Sequence, residues 1–306
     1  MGSFDELWRS QAGIGRVPGT GGYRRFAWSP ADQECRAWFG GQARARGLAL
    51  RPDRNGNLWA WWGDPDGPDA VATGSHLDSV PDGGGFDGPL GVVSAFAALD
   101  ELRSRGVAPR RPVAVVCFSD EEGSRFGVSC VGSRLATGVL DPDRARALRD
   151  ADGVSLAEAM AGTGVDPAGL GPDRDLLGRI GCFVELHVEQ GRGLVDLAAP
   201  VGLAGRIWPH GRWRFDFAGR ADHAGTTRLA DRRDAMLPAA RTVLAARELA
   251  TEFGAHATVG RLLVDPNGVN AVPSRVRAWL DARAPDEATV RRLVGALAER
   301  AARAGA

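Results

Sequence analysis

Three short apolar runs each end in residues that carry chemistry, and this arrangement constrains the fold more than any other feature of the chain. Val71-Ala72-Thr73-Gly74-Ser75 leads into His76, Pro112 to Phe118 leads into Ser119-Asp120-Glu121-Glu122, and Cys182 to Leu186 leads into His187. Continuous apolar character over so few residues is what strands buried in a parallel sheet require. Pro89 to Arg105, closed by Gly106, carries Val92, Val93, Phe96, Leu99 and Leu102 on a helical period. Ser29-Pro30-Ala31-Asp32 combines a capping hydroxyl, a first-turn proline and a carboxylate three residues on, so a helix is expected from there to Gly47. Strands alternating with helices define an α/β domain.

Past about Gly205 the pattern becomes two-periodic, with Trp213, Phe215 and Phe217 alternating with Arg212, Arg214 and Asp216, as in a sheet with one wet face. A helix over 231–252, strands over 257–264 and 275–283 and a last helix from Pro285 follow. The order strand, helix, strand, strand, helix is that of a small α+β open sandwich. The chain of 306 residues therefore reads as two domains, 1–205 and 206–306.

Composition excludes several function classes. The 38 basic and 38 acidic residues balance, so no net field draws the chain to nucleic acid or an anionic membrane. No run of 18 apolar residues occurs, and the first residues lack a signal-peptide pattern. Cys35, Cys117, Cys130 and Cys182 are scattered without a Cys-x-x-Cys pair and read as buried, reduced thiols, which points to a cytoplasmic protein. Gly83-Gly84-Gly85 fits neither nucleotide-binding fingerprint. Trp59, Trp61 and Trp62 read as packing rather than a base-stacking platform, and His210 and His256 as structural.

Ligands of open α/β sheets bind at the carboxyl ends of the strands, and there the three runs deliver His, Glu-Glu and His to one rim, with Asp87 opening the helix behind the first strand. Taken singly, His76 reads as a satisfied polar residue, Asp87 as a helix cap and Glu121-Glu122 as a solvated strand end. Their convergence outweighs those readings: two imidazoles and several carboxylates are the ligand chemistry of a divalent metal pair. Adjacent Glu121 and Glu122 would point to opposite faces of an extended strand, so both serve one site only where the strand has ended and the backbone turns.

Thr73-Gly74-Ser75-His76-Leu77-Asp78, Gly85-Phe86-Asp87-Gly88, Asp120-Glu121-Glu122-Gly123 and Glu185-Leu186-His187-Val188-Glu189-Gln190-Gly191 resemble the dinuclear-metal hydantoinase/carbamoylase family of amidohydrolases. The likeness continues through Asp222-His223-Ala224-Gly225-Thr226-Thr227, Asn267-Gly268-Val269-Asn270 and Asp281-Ala282-Arg283. The resemblance implies a mixed-sheet metallohydrolase catalytic domain joined to a lid and dimerisation domain, with two divalent ions per subunit, Zn or Mn, or else Co or Ni. It implies that Asp87 bridges the ions, His76 and His187 complete one site and Glu122 serves the other. Asp78 would fix the tautomer of His76, and Glu121 would take a proton from the attacking water and return it to the leaving nitrogen. In the second domain His223 would steady the oxyanion in a partner subunit's site, while Asn270 and Arg283, with Gln190 from the first, would bind a small ureido substrate.

The implied activity is cleavage of the carbamoyl group of allantoate or an N-carbamoyl-L-amino acid by a homodimer. An aminoacylase or dipeptidase of the same clan is the enzymatic alternative, for which a carboxylate in place of His187 would be expected. Family members continue with further strands and a C-terminal histidine in a Gly-His-Asp-like segment, whereas this sequence stops at Ala306. Either the sequence is a fragment of a longer chain, the favoured expectation because the retained catalytic residues look intact, or the protein lacks one metal ligand and part of its sheet; a dimerising metal-binding remnant without activity stands as the non-enzymatic alternative. Ile207-Trp208-Pro209-His210 and Thr227-Arg228-Leu229 depart from the usual pattern and bear on substrate identity.

Overall fold

A computed structural model of the chain describes residues 3–305. Contacts divide it into one unit up to residue 198 and another from residue 199 onward. In the first unit the elements run α1 (Phe4–Gln11), α2 (Pro30–Ala45), β1 (Ala49–Pro52), β2 (Leu58–Trp62), β3 (Ala70–His76), α3 (Pro89–Ser104) and β4 (Val113–Phe118). They continue with the short helices α4 (Val131–Ala136), α5 (Pro142–Arg146), α6 (Leu156–Ala161) and α7 (Arg174–Gly178), then β5 (Ile180–Val184) and α8 (Gly193–Asp196). The sheet has the order β1-β2-β4-β3-β5, parallel between β4, β3 and β5 and antiparallel from β4 outward through β2 to β1. The α/β, mixed-sheet reading of the sequence holds.

Alternation along β4 sorts the two cores. Val115 and Cys117 join Phe39, Val92, Phe96 and Leu99 beneath α2 and α3. Ala114 and Val116 join Ala70, Ala72, Trp59 and Trp61 on the opposite face. Trp59 and Trp61 stack at 6.0 Å inside this second core, which accounts for the tryptophan cluster as packing on β2. Helix α2 starts as its sequence dictates, with Ser29 Oγ accepting the Asp32 N–H and Pro30 in the first turn.

Two expectations for this unit are corrected. The third strand is Ile180–Val184 rather than Cys182–Leu186, and among the described residues it lies at the margin of the sheet with Cys182, Phe183 and Val184 exposed. His187 consequently stands on the segment beyond the strand. Only Cys35 and Cys117 are buried; Cys130 is half-buried and Cys182 exposed, although all four are free thiols.

The second unit comprises β6 (His210–Ala218), β7 (Asp222–His223), α9 (Met236–Glu252), β8 (His256–Asp265), β9 (Ala271–Val272), β10 (Arg275–Arg283) and α10 (Glu287–Gly305). Strands β6, β10 and β8 form an antiparallel sheet in that order, and β7 pairs with β9 separately. Ala246 and Leu249 of α9 and Leu293 and Leu297 of α10 close over Leu280 and Ala282. Helix α9 begins at Met236, not Asp231, because Leu229–Asp231 form a 3-10 turn and Asp234 Oδ1 accepts the Met236 N–H at 2.8 Å. Helix α10 begins two residues after Pro285, where Asp286 Oδ1 accepts the Thr289 N–H at 2.8 Å.

At Gly74, in the middle of β3, φ is +145° and an added Cβ would stand 1.9 Å from the Val116 carbonyl oxygen. The close approach of β3 to β4 thus depends on a missing side chain. Gly74→Ala is expected to destabilise the first unit by about 2 kcal/mol or more, read as a lowered denaturation midpoint.

Candidate metal centre

The strand order explains why the predicted residues meet. Strand β3 lies between the parallel β4 and β5, so His76 at its carboxyl end has the residues following β4 on one side and those following β5 on the other. His76 is buried. Its Nδ1 lies 3.1 Å from the Asp78 carbonyl oxygen and 3.4 Å from Asp78 Oδ1, two acceptors, so this nitrogen carries the proton. Nε2 is left free, 3.9 Å from Asp87 Oδ1 and 3.7 Å from Glu121 Oε2. His187 repeats the arrangement, with Nδ1 2.8 Å from the Val188 carbonyl and Nε2 3.2 Å from Asp87 Oδ1. Gly88, at φ +82°, makes room for the first ring, since a Cβ there would lie 2.6 Å from it. The cap of α3 is this glycine, which frees Asp87 from capping duty.

The turn after β4 satisfies the demand that adjacency of the two glutamates imposes. Asp120 adopts a left-handed φ of 51°, which ends the strand and swings both side chains to one rim. Asp78 Oδ1 accepts the Glu121 N–H at 3.2 Å and Oδ2 the Glu122 N–H at 3.0 Å. Asn57 Oδ1 accepts the Ser119 N–H at 2.9 Å, while Cys130, Val131 and Gly132 donate their N–H groups to the carbonyls of Glu121, Asp120 and Ser119. The sequence suggested no site role for Asn57, Gly88 or Cys130, the last reading only as a buried thiol. A glycine between Asp87 and Pro89 is a readable signal in retrospect; nothing in the local sequence marks Asn57 or Cys130.

Two donor groups result: His76, Asp87 and His187, and His76, Glu121 and Glu122, each offering ligand atoms within 4.8 Å of one another. Asp87 belongs to the first group alone, its Oδ2 accepting a 2.7 Å hydrogen bond from Gln190 Nε2. The donor chemistry fits divalent cations. Two imidazole nitrogens and several carboxylate oxygens converge there, an excess of negative charge and of donor atoms that suits a divalent cation. Ionisation reflects the same imbalance. Burial disfavours charge on His76, but Asp78, Glu121 and Glu122 outweigh it and push the ring up to about 10. Glu122 is pushed up to about 7 by burial, with Asp87, Glu121 and Asp78 adding to the rise against His76. Asp120, buried with both carboxylate oxygens unpartnered, is held well above the carboxylate range by burial and by Asp78 and Asp32.

The remaining sequence-derived residues belong to the second unit. His223, on β7, accepts the Gly225 N–H at Nδ1 (3.0 Å), which places its proton on Nε2. Asn270 accepts the Ala224 N–H through its carbonyl, tying it to the same turn. Arg283 ends β10, ion-paired with Asp281 at 2.8 Å and directly opposite both His210 on β6 and His256 on β8. His210 and His256, read as structural from the sequence, are exposed neighbours of Arg283 rather than core residues.

Residues 72–296 match peptidase family M20/M25/M40. The chain belongs to this family. It is 40% identical over 290 residues to an N-carbamoyl-L-amino acid amidohydrolase of Geobacillus stearothermophilus, covering 91% of this chain and 69% of that protein. It is 36% identical over 276 residues to an allantoate amidohydrolase of Escherichia coli, covering 89% of this chain and 66% of that protein. Among solved structures, a hydantoinase/carbamoylase family amidase from Burkholderia vietnamiensis superposes with a TM-score of 0.88 at 32% identity, over 98% of this chain and 73% of that one.

With its pKa pushed up to about 10, His76 carries an extra proton below that pH in the metal-free protein, in the place of a cation. Divalent metal binding below about pH 10 is expected to expel that proton, so affinity rises with pH until the ring deprotonates. Calorimetric titration with Mn²⁺ in two buffers of different ionisation enthalpy measures the release; identical heats in both would contradict a protonated ring.

Proposed function

We propose that this chain is a metal-dependent amidohydrolase that cleaves the carbamoyl C–N bond of allantoate or an N-carbamoyl-L-amino acid, releasing ammonia and carbon dioxide. The observation that carries this reading is the meeting of His76, Asp87, Glu121, Glu122 and His187 at one rim of the sheet, in a chain 40% identical to an amidohydrolase of N-carbamoyl-L-amino acids. His187 in place of a carboxylate favours it over the aminoacylase or dipeptidase alternative.

His76, Asp87 and His187 would hold one ion and Glu122, with Asp87 brought to bridge, the other. A divalent ion supplies polarisation of the poorly electrophilic ureido carbonyl and an acidified water at neutral pH. Glu121 is the base: Oε2, its oxygen nearer His76, takes the proton of the attacking water and hands it to the departing nitrogen. Asp78 holds His76 in the tautomer that leaves Nε2 free and fixes the backbone of both glutamates. We assign Gln190 to the substrate, which it would meet on releasing Asp87.

His223 carries its proton on Nε2 and can donate to the oxyanion of a tetrahedral intermediate. We place this contact across a homodimer, with Asn270 and the guanidinium of Arg283 taking the substrate's polar end and carboxylate. Zinc or manganese is the proposed metal, the donors being nitrogen and oxygen only. Four free thiols suit a cytoplasmic setting.

Ammonia release from allantoate and from an N-carbamoyl-L-amino acid, with Mn²⁺ or Zn²⁺ supplied and bound metal counted in the same sample, tests the reading. Turnover of either compound supports it and sets the substrate class; two bound ions without turnover of either would overturn it. Glu121→Gln should lower turnover about 1,000-fold or more while leaving the metal count unchanged, since a base and not a ligand is lost. Metal loss in that variant would instead exchange the roles of Glu121 and Glu122. Arg283→Ala should raise KM for a carboxylate-bearing substrate at least tenfold with metal content intact, as expected for removal of a charge-assisted bond worth about 1.5–3 kcal/mol.

A further inference from the structure

Glu121 has two carboxylate oxygens with different surroundings. Oε2 stands 3.7 Å from His76 Nε2, and Oε1 accepts a hydrogen bond from the thiol of Cys130, with Sγ 3.2 Å away. Among the described residues this is the only hydrogen bond to the carboxylate, which is one-third exposed and whose other near neighbour, His76, stands beyond hydrogen-bond distance. The same cysteine holds the glutamate's main chain, its N–H donating to the Glu121 carbonyl. Cys130 therefore grips Glu121 at both ends of the residue, and does so from a left-handed conformation (φ 56°, ψ 36°) immediately before α4.

Ordinary burial does not account for this thiol. Cys35 and Cys117 belong to the apolar core under α2 and α3, whereas Cys130 is absent from the core that its neighbours Val131 and Leu135 share with Phe126 and Leu140. Its side chain is spent on a carboxylate instead. A general base works when one oxygen is held at the reacting proton, and a flexible glutamate loses rate by sampling other rotamers.

We propose that Cys130 is a positioning residue for Glu121: its thiol ties down Oε1 and thereby presents Oε2 to the water and the leaving nitrogen. This rests on the reading of Glu121 as the base. The interaction predicts that Cys130 acts on kcat through geometry, without touching substrate or metal.

The test compares the full chain with Cys130→Ala and Cys130→Ser under saturating Mn²⁺. Alanine and cysteine bear the same backbone demand at positive φ, so the comparison isolates the thiol. Cys130→Ala should lower kcat roughly 10–100-fold, the range for loss of a group that orients an active-site residue, with KM and bound metal unchanged. Cys130→Ser restores a donor and should recover most of the rate. A Cys130→Ala enzyme within about twofold of the parent, or a serine variant no better than alanine, would overturn the proposal.

A measurement independent of turnover separates this proposal from the reading beneath it. The infrared S–H stretch of Cys130, isolated by subtracting the Cys130→Ala spectrum, should move to higher wavenumber in Glu121→Ala as the hydrogen bond is lost. An unmoved band would refute the contact whatever the activity. A moved band in a chain that stays active as Glu121→Gln would uphold the contact and remove Glu121 from its role as base.

Discussion

One carboxylate ties the ends of two parallel strands together, and the candidate site depends on it. Asp78 accepts the main-chain N–H groups of Glu121 and Glu122 through separate oxygens, and its carbonyl faces Nδ1 of His76. It is buried, so these bonds form in a low-dielectric setting where a charged acceptor is worth most and an unpaired one costs most. A single residue thus sets the tautomer of one ring, chiefly through its carbonyl, and the direction of two glutamates through its carboxylate. The energetic risk is concentrated there: an apolar replacement would leave the Glu121 and Glu122 N–H donors short and slacken both glutamates together.

Around that tie, the fold supplies position through small residues and left-handed turns. Gly74 lets β3 approach β4, Gly88 makes room for the imidazole, and Asp120 reverses the chain at the strand end. Asp120 bears the clearest cost. Both its carboxylate oxygens are buried without a partner, a state tolerated where surrounding structure overdetermines a residue, as it often does at functional sites.

Much of this could be read from the sequence because it is written in local patterns. The apolar runs located β3 and β4, the Ser29-Pro30 cap located α2, and the endings of the runs located His76, Glu121 and Glu122 on one rim. The antiparallel extension through β1 and β2 was not visible as strands, since Trp59, Trp61 and Trp62 announce packing without saying in which element. Asn57 acts on Ser119 across 62 residues, and Cys130 reaches Glu121 across nine through an irregular turn, and no spacing rule reports such contacts. His210 and His256 beside Arg283 needed the register of three strands, which alternation alone does not determine.

His76 belongs to both donor groups, yet its ring has a single nitrogen turned to them, since Nδ1 faces the Asp78 carbonyl. One imidazole nitrogen binds one ion, so the two groups compete for it, and whichever carboxylates hold the ring leave the other group a ligand short. The cluster is a shared set of donors and not two duplicated ones.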